Sequence, residues 1–334
     1  MTKSKKTDVA EPRKKMGRHG YLAVLLAVMV TVIVLGLVFA GVFVRSNAKF
    51  PMTAAIVDQL RQDYPDASFV SNMTNMLQNH GFNVTYYGGP IDVEFYKKLA
   101  TYNYGIIILR AHSALRNDNS TIDLFTSEKY APGIYDQELS DGDLAIGEFY
   151  DRPGEQYFVV TSKFISDYME GGFSQSIVIA MGCQSLKPGC EQMAQAFIDK
   201  GASAYIGWSD IVFPEDTDNQ TMRLMSMLLD EDFTLSYAVV GTTPYTYNGV
   251  YPNSTQTVRV TTEMRFYPQV EQDLTVGALT KESQPSPGAR AFTVLGLLPV
   301  TIAEGLPGWR KKSLRYPPKH LQELQRVHCY FNHW

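Results

Sequence analysis

Residues Tyr21 to Val44, YLAVLLAVMVTVIVLGLVFAGVFV, run for 24 positions without a charge. About 20 such residues cross the hydrocarbon core of a bilayer as a helix. Lipid offers the backbone no water to bond, so a spanning segment of this kind is helical, and Gly36 and Gly41 are tolerated within it. Lys3, Lys5, Lys6, Arg13, Lys14, Lys15 and Arg18 precede the run, against Asp8 and Glu11, and only Arg45 and Lys49 follow closely. The positive-inside bias therefore places the N-terminus in the cytoplasm and the remainder outside. A cleaved signal peptide is the rival reading, but its apolar region spans about 7–15 residues and ends at a small-residue cleavage site. This run is longer and ends in valine and arginine, so an uncleaved anchor is expected. The expected organisation is a cytoplasmic basic tail (1–20), a transmembrane helix (21–44), an ectodomain (45–270) and a C-terminal tail (271–334). The chain would then sit in the cell membrane as a single-pass protein, with the lipid bilayer as a partner.

Charge is partitioned along the chain. Residues 45–265 carry 15 Lys+Arg and 27 Asp+Glu, a net of −12, whereas the N-terminal tail carries +5 and the last 69 residues +3. An acidic ectodomain argues against nucleic acid, which needs basic surface, and is compatible with basic substrates. Sequons begin at Asn72, Asn83, Asn119, Asn219 and Asn253 and permit N-glycosylation of an outward-facing body. Three cysteines, Cys183, Cys190 and Cys329, are too few and too odd in number for a disulfide scaffold.

From Phe50 onward short apolar runs alternate with helix-period stretches. Ala54–Val57, Phe82–Tyr87, Tyr104–Arg110, Ser176–Met181 and Ala202–Trp208 read as strands; Ser68–His80, a short helix capped by Asp92, Glu191–Lys200 and Thr217–Leu229 read as helices. Leu144–Tyr150 and Tyr157–Phe164 flank DRPGEQ as a hairpin. The thirty or so polar residues after Ala111 read as an excursion over the surface. Beyond Asp273 the signal fades into a linker, QPSPGA, and a tail. Continuous apolar strands alternating with helices predict a mainly parallel α/β sheet covered on both faces.

Ligands of open α/β sheets sit outside the carboxyl ends of the strands. Strand IIIL ends in Arg110-Ala111-His112-Ser113 and strand IVIAM in Gly182-Cys183-Gln184-Ser185, so a base and a thiol emerge on one rim. Imidazole accepts a thiol proton, stabilises the thiolate and can later protonate a leaving amine. The other histidines lie in the tails or, at His80, at a helix end; Cys329 lies in the tail and Cys190 opens a helix. Two further readings of Cys183 stand beside this one: a small buried apolar residue, or half of a bridge to Cys190. One histidine near two thiols is a poor zinc site, so neither a metal nor a cofactor is expected.

The order strand-RAHS, strand-MGCQS, helix, GASAYIGWSD resembles the caspase-like cysteine peptidases, the group of caspases, gingipains, clostripain, separases and CHAT domains, over about residues 50 to 230. The resemblance implies a caspase-like fold and a His–Cys dyad without an obligatory third member. His112 matches the base and Cys183 the nucleophile; the backbone N–H groups of Cys183 and Ser113 match the oxyanion donors. Ser113 stands where many relatives have glycine. Trp208 closes the strand that walls the pocket for the residue before the cut, and Asp210 matches the acid that selects arginine or lysine there. The 71 positions from His112 to Cys183 suggest an insertion over the site. The expectation is a membrane-anchored, extracytoplasmic cysteine endopeptidase acting on peptides or proteins with a basic residue before the cut. The alternative is a catalytically silent module of the same fold that binds protein partners.

Overall fold

The computed structural model describes residues 49–149, 152–250, 257–283 and 326–329, with Met29 alone from the N-terminal part. The chain divides into two units, Met1–Ala48 and Lys49–Trp334, and the elements below belong to the second. The expected span, Tyr21–Val44, lies outside the described residues apart from Met29. Among the described residues no helix is long and apolar enough to cross a membrane.

The first half of the second unit runs β1 (Thr53–Asp58), α1 (Ala67–Asn79), β2 (Asn83–Tyr87), α2 (Val93–Lys98), β3 (Ile106–Arg110), β4 (Ser113–Leu115), β5 (Ile122–Lys129), α3 (Asp136–Asp141), β6 (Leu144–Phe149) and β7 (Gln156–Val160). A π-helical turn at Phe164–Tyr168 leads to β8 (Ile177–Ala180), α4 (Gln192–Asp199), β9 (Ala204–Trp208), α5 (Pro214–Leu229) and α6 (Leu235–Val240). β10 (Tyr245–Val250), β11 (Thr257–Thr262), β12 (Met264–Tyr267), α7 (Val276–Ser283) and β13 (Arg326–Cys329) complete it.

The main sheet has the order β12-β9-β8-β3-β1-β2. Every pair in it is parallel except β12 with β9. This is the mixed α/β, mainly parallel sheet that the strand–helix alternation predicts. β3, β8 and β9 are buried at every position, as strands covered on both faces must be. Ile56, Ile106, Ile108, Ile179 and Ile206 pack with Phe69 and Met73 of α1 and Leu224 and Met225 of α5. Val57, Ile107, Leu109 and Ala180 face the other way, onto Tyr96 of α2 and Met193 and Phe197 of α4. The Asp66 and Asp92 carboxylates accept the N–H groups of Phe69 and Phe95, both at 2.8 Å, and so start α1 and α2.

The polar stretch after Ala111 runs over the surface only in part: 117–120 and 131–134 are exposed, whereas 111–114 and 121–126 are buried. It supplies β4 and β5 to a second sheet of order β13-β6-β7-β5-β4. Asp123 and Thr126 are buried there with partners. Asp123 is fully buried against a bidentate Arg116, at 2.8 and 2.9 Å, and the Thr126 hydroxyl donates to the Phe158 carbonyl at 2.7 Å. The expected hairpin is present as β6 and β7, paired antiparallel. One face of this insertion joins the main core through Leu124, Leu144, Phe158 and Val160. The opposite face carries Phe125, Ala145, Phe149, Tyr157 and Val159, and these enclose Cys183. Two pieces of the expected tail also have structure: α7 buries Val276 and Leu279 in the main core, and β13 pairs with β6.

Candidate active site

β1 is flanked by β2 on one side and β3 on the other, so the chain leaves β1 toward β2 and leaves β3 toward β8 in opposite directions, which opens a crevice at the β1/β3 carboxyl ends. The rim there is built from the segment after β1, the end of β3 and the end of β8. The β3–β8 register pairs Leu109 with Ala180, and the Met181 N–H still donates to the Leu109 carbonyl at 2.9 Å. His112 and Cys183 each stand three residues beyond that pair, past the ends of β3 and β8. The Ser113 hydroxyl ties the two ends together by donating to the Cys183 carbonyl at 2.6 Å. A Cβ on Gly182 would lie 2.3 Å from Ser113 Oγ and 2.5 Å from the Ala111 carbonyl, so only glycine lets the two strand ends approach this closely.

His112 is buried, 1% exposed. Its backbone N–H donates to Gln59 Oε1 at 2.9 Å, and its Nε2 lies 3.5 Å from Asp63 Oδ2. Phe149 meets the imidazole edge-on with ring centroids 4.7 Å apart, and Phe125 and Tyr64 stand at 6.3 and 6.0 Å. The contact with His112, reinforced by Arg152 and opposed by burial, holds the Asp63 carboxyl down at about 2. Cys183 is 3% exposed, and its Sγ points at the Val212 carbonyl at 3.4 Å. Burial pushes its thiol up to about 12, with the nearby Asp210 charge acting in the same direction. Cys183 and Cys190 both carry free thiols, so the bridged reading of this pair does not hold in the structure.

No protein-family model matches this chain, and no curated protein matches it.

The remaining expected site residues divide. Trp208 is fully buried and its indole N–H donates to Thr217 Oγ1 at 2.8 Å, so it belongs to the main core and faces no cleft. Asp210 lies at the rim, but its carboxylate is engaged: Oδ1 accepts from Gln184 Nε2 at 3.2 Å and Oδ2 lies 3.5 Å from Lys187 Nζ. Gln184, in the left-handed region at φ 57°, also accepts the Leu115 N–H at 3.3 Å, and so joins β4 to the loop after β9.

Several residues that matter here had no assigned role, Arg110 among them although it opens the RAHS run. Arg110 is 1% exposed and donates twice to Asp218 at 2.8 Å, to Asp58 at 2.7 Å and to the Tyr64 carbonyl at 2.8 Å. It thereby anchors the 58–64 segment that presents Gln59 and Asp63 to His112. Arg152 reaches Asp63 with both terminal nitrogens, at 3.1 and 3.2 Å, and its guanidinium lies 4.2 Å from the Phe149 ring centroid. A hollow of about 70 Å³ borders Asp63, Phe149 and Arg152.

Proposed function

We propose that this chain is a membrane-anchored cysteine endopeptidase of caspase-like type whose folded body lies outside the cytoplasm. What supports the reading is that His112 and Cys183 each follow by three residues the paired Leu109 and Ala180 near the carboxyl ends of adjacent parallel strands, beside the crevice where such sheets bind ligands. The uncharged run Tyr21–Val44 and its basic N-terminal flank support the anchor and its orientation.

In the reaction the Cys183 thiol gives its proton to His112 as Sγ adds to the peptide carbonyl carbon. The tetrahedral oxyanion is met by the backbone N–H groups of Cys183 and Ser113. His112 returns the proton to the departing amine and an acyl-enzyme remains. Water then adds, losing its proton to His112, and releases the acid with regeneration of the thiol. Asp63 beside Nε2 orients the imidazole and stabilises it once protonated.

The silent-module reading draws on a specific observation: the Cys183 thiol is buried and its Sγ donates to the Val212 carbonyl at 3.4 Å, and burial disfavours the thiolate that would attack. A peptidyl chloromethyl ketone with arginine before the reactive group separates the two. Intact-mass analysis of the full chain in detergent should show one adduct, mapped to Cys183 and absent from His112→Ala. No adduct at Cys183 after prolonged incubation favours the silent module. Reagents with arginine, lysine, aspartate or leucine at that position test selectivity, and preference for aspartate would remove Asp210 as the selecting group.

A further inference from the structure

β2 is the outermost strand of the main sheet. It pairs with β1, and among the described residues its other side is unpaired. Such a side offers a row of backbone N–H and C=O groups to any other chain, and folded proteins guard it with charge, proline, a bulge or a cover. β2 reads Asn83-Val84-Thr85-Tyr86-Tyr87, without a charge or a proline. Its register with β1 is unbroken from Asn83 to Tyr87, so no bulge turns it away. At the carboxyl end the Arg61 guanidinium donates to the Gly88 carbonyl at 2.8 Å and supplies a charge. The amino end begins at Asn83, whose backbone N–H donates inward to the Met52 carbonyl at 2.9 Å and whose side chain is exposed.

Asn83-Val84-Thr85 is also a sequon. Among the described sequon asparagines, Asn72 lies in α1, Asn119 in the turn between β4 and β5, and Asn219 in α5, and all of them are exposed, as Asn83 is. Exposure therefore does not choose between them. Position does, because Asn83 alone of these opens the outermost strand of the main sheet. We propose that Asn83 carries an N-linked oligosaccharide and that this glycan guards the open edge of the sheet. The proposal rests on the outward-facing topology and not on the peptidase chemistry. The sugar comes from a lipid-linked oligosaccharide. A bond forms from Asn83 Nδ2 to the anomeric carbon as the bond from that carbon to the lipid phosphate breaks, and the amide gives up one proton. Transfer takes place on the unfolded, translocating chain, so the partial burial of Thr85 in the finished strand is no obstacle. A further strand must come within about 4.8 Å of β2 to pair with it, and an oligosaccharide rooted at Asn83 occupies that space. It adds bulk and hydration where the strand itself has no charge.

The test is synthesis of the full chain into endoplasmic-reticulum microsomes, then release of N-glycans by peptide N-glycosidase in heavy-oxygen water, which marks each glycosylated asparagine for peptide mass spectrometry. The mark should appear at Asn83, and one glycan step in gel mobility should be lost in Asn83→Gln and in Thr85→Val. Valine keeps the branched side chain that suits a strand and removes only the hydroxyl that the sequon needs. Thr85→Ser keeps the sequon and should keep the glycan. An unmarked Asn83 in a body that the microsomes shield from added protease overturns the proposal and leaves the topology standing. A body cut by that protease removes the topology, and the glycan with it. The guarding role is read by size-exclusion chromatography with light scattering in detergent. Thr85→Val should form more dimers and larger species than the unaltered chain, whereas Thr74→Ala, which silences the sequon on α1, should not. Equal self-association of Thr85→Val and the unaltered chain would overturn the guard, as would an equal rise in Thr74→Ala.

Discussion

Replacing Arg110 by methionine isolates the group on which the rim is built. The guanidinium is 1% exposed and sits between Asp58 and Asp218, whose side chains are 1% and 5% exposed. Methionine fills much of the same volume and leaves both carboxylates buried without a cation. Removing one partner of a buried ion pair costs about 3–5 kcal/mol. Tyr86 still donates to Asp58 at 3.1 Å, which offsets part of the loss on that side. For a domain of this size about 1 kcal/mol moves the melting temperature by roughly 2–4 °C, so a fall of about 10 °C is expected. Burial already raises the Asp218 carboxyl above its ordinary value, with Arg110 opposing it. Without the arginine that rise is larger. A raised folded-state value stabilises the protonated form, so the defect is greatest at neutral pH and shrinks as pH falls toward the carboxylate range. Thermal unfolding followed by the fluorescence of the buried Trp208 at pH 7 and pH 5 measures it. The triple variant Asp58→Asn, Arg110→Met, Asp218→Asn, which removes all three charges, should recover most of the loss. Melting of Arg110→Met within about 2 °C of the unaltered chain, or a triple variant no more stable than the single one, would refute the reasoning.

Other expectations follow from the same geometry. Gly182→Ala should separate the ends of β3 and β8, cost about 1–3 kcal/mol and slow Cys183 acylation, checked by melting and adduct formation; an unchanged rate argues against the close approach of the strand ends. Asp63, lowered to about 2 first by His112, contributes stability that is present above its unfolded value near 3.8 and lost as pH falls through about 2. The melting difference between Asp63→Asn and the unaltered chain should therefore be largest near pH 6 and close toward pH 2. Protease added to intact cells should degrade the chain beyond Val44 and spare the N-terminal tail; protection of the whole chain would contradict the topology.

The strands that lead to the candidate site were legible because each carries an unbroken apolar run. IIIL and IVIA leave no alternation to misread, and their ends fixed which histidine and which cysteine reach the rim. β4 and β5 were not legible, because Asp123 and Thr126 occupy buried positions that only Arg116 and the Phe158 carbonyl make tolerable. A sequence pattern reports side-chain polarity, not the partner that cancels it. Trp208 was assigned to a pocket by its place at a strand end, yet its indole points at Thr217 in the core. Asp63 reaches His112, and Arg152 reaches Asp63, from two separate loops where no periodicity operates. An acid shortly after the carboxyl end of β1, at the switch in strand order, is the one signal that could have marked Asp63.

The central claim is that Cys183 and His112 form a catalytic dyad. Hydrolysis of a fluorogenic peptide with arginine before the cut, by the full chain in detergent, tests it most directly when Cys183→Ala, His112→Ala and Cys190→Ala are run beside the unaltered protein. Turnover should vanish in Cys183→Ala, nearly vanish in His112→Ala and persist in Cys190→Ala. Turnover by Cys183→Ala equal to that of the unaltered chain would contradict it.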